Sequence, residues 1–154
     1  MLMPRLPEVQ QAKELMNEAM EWSTFKWLWE KQRVRDTADR ANAALERFEK
    51  AVKAKWAEHL KTAYKSAARK SGKTEVEKEA GDPQVMLLVE RVVEADRAAH
   101  RARMDAEDTF DQAEKQMSTS LAVEGCKKAI HSWELREKAI RRAESVSIEA
   151  SAAE

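Results

Sequence analysis

The sequence predicts an all-α protein: a long antiparallel helical hairpin of coiled-coil type that dimerises through its open end. Three observations carry that prediction. Charged residues make up 36% of the chain and hydrophobic residues 43%, with only three Gly and three Pro in 154 residues, a profile of long helices. Residues 8 to 71 and 84 to 124 contain neither Gly nor Pro. Within both stretches the apolar and small residues recur at alternating steps of three and four, the spacing of a heptad seam.

The elements follow in order within a single helical domain, 1–154. Pro7 suits a first helical position, because its missing N–H would be unpaired there anyway. The first arm, 8–71, carries the seam Val9, Ala12, Met16, Met20, Ser23, Trp27, Val34, Ala38, Ala41, Leu45, Phe48 and Val52. Ser71 and Gly72 supply a helix stop. The turn segment, 72–82, holds a capping box in Thr74 and Glu77. Asp82 and Pro83 then restart a helix as N-cap and first helical residue. The second arm, 83–146, continues the seam through Val85, Leu88, Val92, Ala95, Ala99, Ala102, Ala106, Phe110, Ala113, Met117 and Leu121, and later Leu135, Ala139, Ala143 and Val146; residues 147–154 form a tail.

Folding the arms together so that facing residue numbers sum to about 155 places large side chains against small ones. Met16 then meets Ala139, Leu45 meets Phe110, and Trp22 meets Trp133. Residues 1 to 77 carry a net charge of +4 and residues 78 to 154 a net of −4, which suits antiparallel arms. The alternative architecture is a four-helix bundle with breaks near residues 35–37 and 118–120.

Residues 21 to 31, EWSTFKWLWEK, contain three of the five tryptophans. On a continuous helix Trp27 shares the seam with Met16 and Val34, whereas Trp22, Phe25 and Trp29 share another face. The fold-back rule brings Trp133 to Trp22, and Gly125 and Cys126 to Trp29. The set Trp22, Phe25, Trp29 and Trp133 is therefore the candidate partner or dimer interface, since contiguous exposed aromatics mark interaction sites. Residues 50 to 73 hold eight Lys or Arg and a single Glu. Lys61, Lys65, Arg69, Lys70 and Lys73 are candidate anion-binding residues there.

Little points to chemistry. His59, His100 and His131 are isolated, and no Glu-x-x-His spacing occurs, as a di-iron bundle would need. There is no Gly-rich phosphate loop and no His-Glu-x-x-His. Cys126, the single cysteine, has Lys127 and Lys128 beside it, and neighbouring ammonium groups lower a thiol pKa. No catalytic, cofactor-binding or metal residue is assigned. The longest aliphatic run, VMLLV, is too short to span a bilayer. The start, MLMPRLPEVQQ, has no apolar stretch of signal-peptide length, so a cytoplasmic location is expected.

The resulting expectation is a non-enzymatic coiled-coil adaptor or structural protein acting through protein–protein contacts. Self-association at the tryptophan-rich end is expected, with docking of a different protein on that same patch as the alternative. The alternative is an anion- or nucleic-acid-binding module using residues 50–73.

Overall fold

The computed structural model describes residues 6–54 and 83–153. Among them there are four helices and no strand: α1 (Pro7–Ala19), α2 (Thr24–Lys53), α3 (Pro83–Gln116) and α4 (Thr119–Ala153). The all-α class therefore stands. The turn segment 72–82 lies outside the described residues, while α3 begins at Pro83 as expected and α4 continues past residue 146.

The first arm is not continuous. Its break falls at residues 20–23, where Glu21 and Trp22 N–H groups turn back to the carbonyls of Glu18 and Ala19 (both 3.1 Å). Ser23 is extended, and its hydroxyl accepts from the Lys26 N–H at 3.2 Å, capping α2. Such a cap satisfies one of the orphan donors of a helix start. At residues 35–37, by contrast, α2 runs on unbroken. Thr37 bonds back to the Arg33 carbonyl at 2.7 Å. Arg35 reaches Asp111 (2.7 Å) and Glu114 (2.6 Å) on α3.

The second arm breaks at Met117 and Ser118. The Ser118 N–H bonds to the Ala113 carbonyl (3.1 Å) and the Met117 N–H to that of Glu114 (3.4 Å), the paired bonds of a Schellman stop. Ser118 then caps α4 by accepting from the Leu121 N–H at 3.2 Å. Met117 carries φ of 50°, a left-handed position normally given to Gly because a Cβ costs roughly 1–2 kcal/mol there. Its side chain is 62% exposed, so little packing compensates. Met117→Gly should therefore raise stability by about 1 kcal/mol, or about 2–4 °C in Tm. An unchanged or lowered melting temperature in a calorimetric scan would contradict this account of the turn.

The connections fix the directions. Glu8 on α1 approaches Arg47 on α2 at 3.9 Å, so these neighbours are antiparallel. On α3 and α4, Asp105 pairs with Lys128 at 3.2 Å and Phe110 faces Gly125, again antiparallel. Helices α2 and α4 run parallel, with contacts rising together from Thr24–Thr119 through Asn42–Trp133 to Glu49–Arg136. The α3–α4 pair is the most extensive, α1 packs on α2, and both α1 and α2 pack on α4. Helices α2 and α3 meet through charged side chains, including Lys53 with Asp96.

Between α2 and α3 the pairs Arg35–Asp111, Arg35–Glu114 and Lys53–Asp96 sum to 146–149, against the expected 155. Phe110 lies against Gly125 of α4: a Cβ on Gly125 would sit 3.0 Å from ring carbons of Phe110. Of the expected seam positions, Ser23 and Met117 are exposed. Val9, Ala12, Met16, Trp27, Val34, Ala41, Leu45, Val92, Ala106, Phe110, Ala113, Ala139 and Ala143 are all buried. They face four helices rather than two, with Leu15, Ala122, Cys126, Trp133 and Ile140 completing the core.

Candidate interaction surface

The break at residues 20–23 decides which aromatics are exposed. Trp22 sits in the joint between α1 and α2, so its direction is not set by the phase of either helix. It folds into the core at 7% exposure, with Lys26 Nζ 5.2 Å from its ring centroid. Trp27 and Trp133 are buried too, at 2% and 1%. Trp133 Nε1 donates to Asn42 Oδ1 at 3.0 Å, a buried bond between α4 and α2. Phe25 and Trp29 remain outside, at 78% and 80% exposure. The expected set of four aromatics thus divides: Trp22 and Trp133 pack within the chain, and Phe25 and Trp29 stand on its surface. Trp29 does not lie in a recess formed by Gly125 and Cys126, because Gly125 faces Phe110 and Cys126 is in the core.

Phe25 and Trp29 are one helical turn apart, so their rings share a face of α2. The outer side of α2 continues through Gln32, Asp36, Asp39, Ala43, Glu46, Arg47 and Lys50, all exposed. It is aromatic at its start and small or charged further on. Exposed Met117 adds apolar surface at the same end of the bundle, where the hydroxyls of Thr24 and Thr119 touch.

Behind this face, α2 is held by a polar cluster that periodicity did not reveal. Glu49 Oε2 accepts from Arg136 at 2.8 Å, and its Oε1 accepts from Lys53 at 2.5 Å. Lys53 also binds Asp96, joining three helices. The side chains of this cluster are only 15–19% exposed. Burial alone would push the Glu49 carboxyl up. The hydrogen bond and charge of Lys53, with the charge of Arg136, outweigh burial and hold it below the usual carboxylate range. Lys53 behaves inversely: burial lowers it, and its bonds to Asp96 and Glu49 raise it above the ordinary ammonium value. The available signal was Glu49 and Lys53 at i and i+4, but that spacing alone gave no hint of Arg136.

Cys126 is fully buried, and burial pushes its thiol up to about 12. The flanking lysines do not activate it. Lys127 is exposed, while Lys128 turns to Asp105 and Glu124.

His100 and His131 are exposed, and no group of three His, Cys, Asp or Glu is placed to hold a metal among the described residues. An open cleft of about 420 Å³ between α1 and α2 is lined mainly by charged groups, including Glu8, Glu14, Glu18, Arg33 and Arg40. Lys61, Lys65, Arg69, Lys70, Lys73 and His59 lie outside the described residues. No described helix is long and apolar enough to cross a membrane. Compared with protein-family models, curated proteins and solved structures, the chain matches none.

Proposed function

We propose that the chain is a non-enzymatic helical assembly or adaptor protein, and that it works through protein–protein contacts on the outer face of α2. The exposure of Phe25 and Trp29, side by side on one rigid helix, supports this reading most directly. Large aromatics adjacent on a surface are favoured anchors for protein partners. The helix presenting them is capped at its start by Ser23 and tied to α4 by Trp133 and Arg136.

The magnitudes show what such an anchor requires. Two rings of about 200 Å² each, at roughly four-fifths exposure, give about 8 kcal/mol of gross burial energy. Association costs roughly 4–15 kcal/mol in lost translational and rotational freedom. The rings alone therefore make a marginal contact, and the rest of the face must contribute.

Sedimentation velocity on the wild type and on a Phe25→Ser, Trp29→Ser double variant tests the reading. The wild type should associate at tens of micromolar. The variant should sediment as a monomer with unchanged helix content, because exposed side chains add little to fold stability. A wild type that stays monomeric throughout this range would overturn the self-association.

A further inference from the structure

We propose that the chain has a second folded form, a domain-swapped dimer: the link at Met117 and Ser118 straightens, α3 and α4 become one helix, and each α4 packs on α1, α2 and α3 of the other copy. This form goes beyond the docking surface on α2 and does not depend on it. The backbone at Met117 carries the inference. A residue with a Cβ held at φ of 50° stores strain that a straight helix releases. The link between α3 and α4 is only two residues long, and short, strained links favour exchange of the element beyond them. Residues 114–121, EKQMSTSL, contain neither Gly nor Pro, so none of them stops a helix. On straightening, the bonds of the present stop and cap, from Ser118 N–H to Ala113 and from Leu121 N–H to the Ser118 hydroxyl, give way to the regular bonds of a continuous helix.

The sequence around the link fits the straight form better than the reversed one. Ala106, Phe110, Ala113, Met117 and Leu121 recur at steps of three and four, one apolar stripe on a continuous helix. Ala106, Phe110 and Ala113 are buried, yet the reversal leaves Met117 62% exposed. A second straightened helix, antiparallel to the first, covers that stripe. Its register is already present in the chain. Asp105 with Lys128 and Phe110 with Gly125 have residue numbers that sum to 233 and 235, so the midpoint of the α3–α4 pairing is the link itself. In the exchanged form the same pairs join the two copies. The two-fold axis then passes at the link, with Met117 of one copy beside Met117 of the other. The remaining contacts of α4, including Trp133 with Asn42 and Arg136 with Glu49, are remade with the second copy. No new complementary surface is needed, which is why exchange of identical elements is a low-cost route to a dimer. Chains that fold in dilute solution close the link on themselves and stay monomeric, because exchange requires α4 to leave its own chain.

Unfolding in urea and refolding at micromolar and at near-millimolar concentration tests the exchange, because chains meet while folding only in the second case. Size-exclusion chromatography should show monomer from the first and, from the second, a dimer that persists on dilution. In an Asp105→Cys, Lys128→Cys variant the two thiols face each other across α3 and α4, where a short bis-maleimide joins them. On a denaturing gel the treated dimer should run as two linked chains and the treated monomer as one. Cys126 should not react, because it is buried. Gly occupies the left-handed region without penalty, and each dimer straightens two links. Met117→Gly should therefore lower the dimer-to-monomer ratio recovered at the higher concentration at least tenfold. Ser118→Ala removes the cap of α4 and should raise that ratio severalfold. No dimer after concentrated refolding, or a dimer whose links all lie within single chains, overturns the exchange. The docking surface, measured on native protein by sedimentation, stands or falls separately. An exchanged dimer indifferent to Met117→Gly overturns the part assigned to the link.

Discussion

Truncating Trp133 to alanine should lower the free energy of unfolding by about 4 kcal/mol, the largest effect expected of any substitution considered. Trp133 is 1% exposed at the junction of α4 with α2, and removing a buried aromatic typically costs about 3–5 kcal/mol. Part of the loss is polar. Without the indole N–H, Asn42 Oδ1 loses its donor, and an unsatisfied buried acceptor costs about 1–3 kcal/mol. Trp133→Phe keeps most of the ring and should cost about 2 kcal/mol. Adding Asn42→Leu to Trp133→Phe should recover part of that, since both polar partners are then gone. Urea denaturation with an unchanged m value measures each step. If Trp133→Phe costs as much as Trp133→Ala, the hydrogen bond rather than the ring volume holds this junction.

The second large effect concerns the cluster around Glu49. Glu49→Ala should cost about 3 kcal/mol, because it leaves Lys53 and Arg136 mostly buried without their shared acceptor. The same contacts set a pH dependence. The Glu49 carboxyl titrates lower in the folded chain than in the unfolded one. Its contribution is therefore present above the ordinary carboxylate value of about 4.3 and is lost as pH falls through the depressed folded value. Lys53 is raised, so its contribution is present below about 10.4 and is lost as pH climbs through the raised value. Thermal melts across this range should show a plateau between the two limits, and Glu49→Gln should flatten the acid limb. An acid limb of the same depth in wild type and Glu49→Gln would place the acid sensitivity elsewhere.

The helical class was legible because composition and step spacing report directly on a 3.6-residue period. The buried face was legible for the same reason, as the burial of Met16, Val34, Leu45 and Phe110 illustrates. Register was not. A heptad pattern matches itself after every seven residues, and the α2–α3 pairs Arg35–Asp111, Arg35–Glu114 and Lys53–Asp96 sum to 146–149, about one heptad from the expected 155. The break at Met117 and Ser118 lies beside the Ser-Thr-Ser run that suggested one of the two breaks in the bundle alternative. The other was expected at residues 35–37 and occurs at residues 20–23, where Met20 and Ser23 had been read as seam positions. Ser23 is a strong N-cap type, but the third helical residue after it is Lys26 rather than Glu or Gln, so the capping-box signature was missing. That one misplaced break also explains Trp22. Its assignment to the face of Phe25 and Trp29 assumed a helix running through the joint.

The two-residue link between α3 and α4 governs how cheaply the chain can be assembled. Contacts such as Phe110 with Gly125 close a short loop, because Met117 and Ser118 already reverse the backbone. The bond from Trp133 to Asn42 joins residues 91 positions apart, roughly six times the separation of Phe110 and Gly125. At about 0.6 kcal/mol for each doubling of loop length, that closure costs roughly 1.5 kcal/mol more in chain entropy. The carboxy-terminal half is thus a low-contact-order unit that can zip from its own turn. The α1–α2 pair must be captured on that unit from a distance, so the surface carrying Phe25 and Trp29 is tied to α4 by contacts that close long loops.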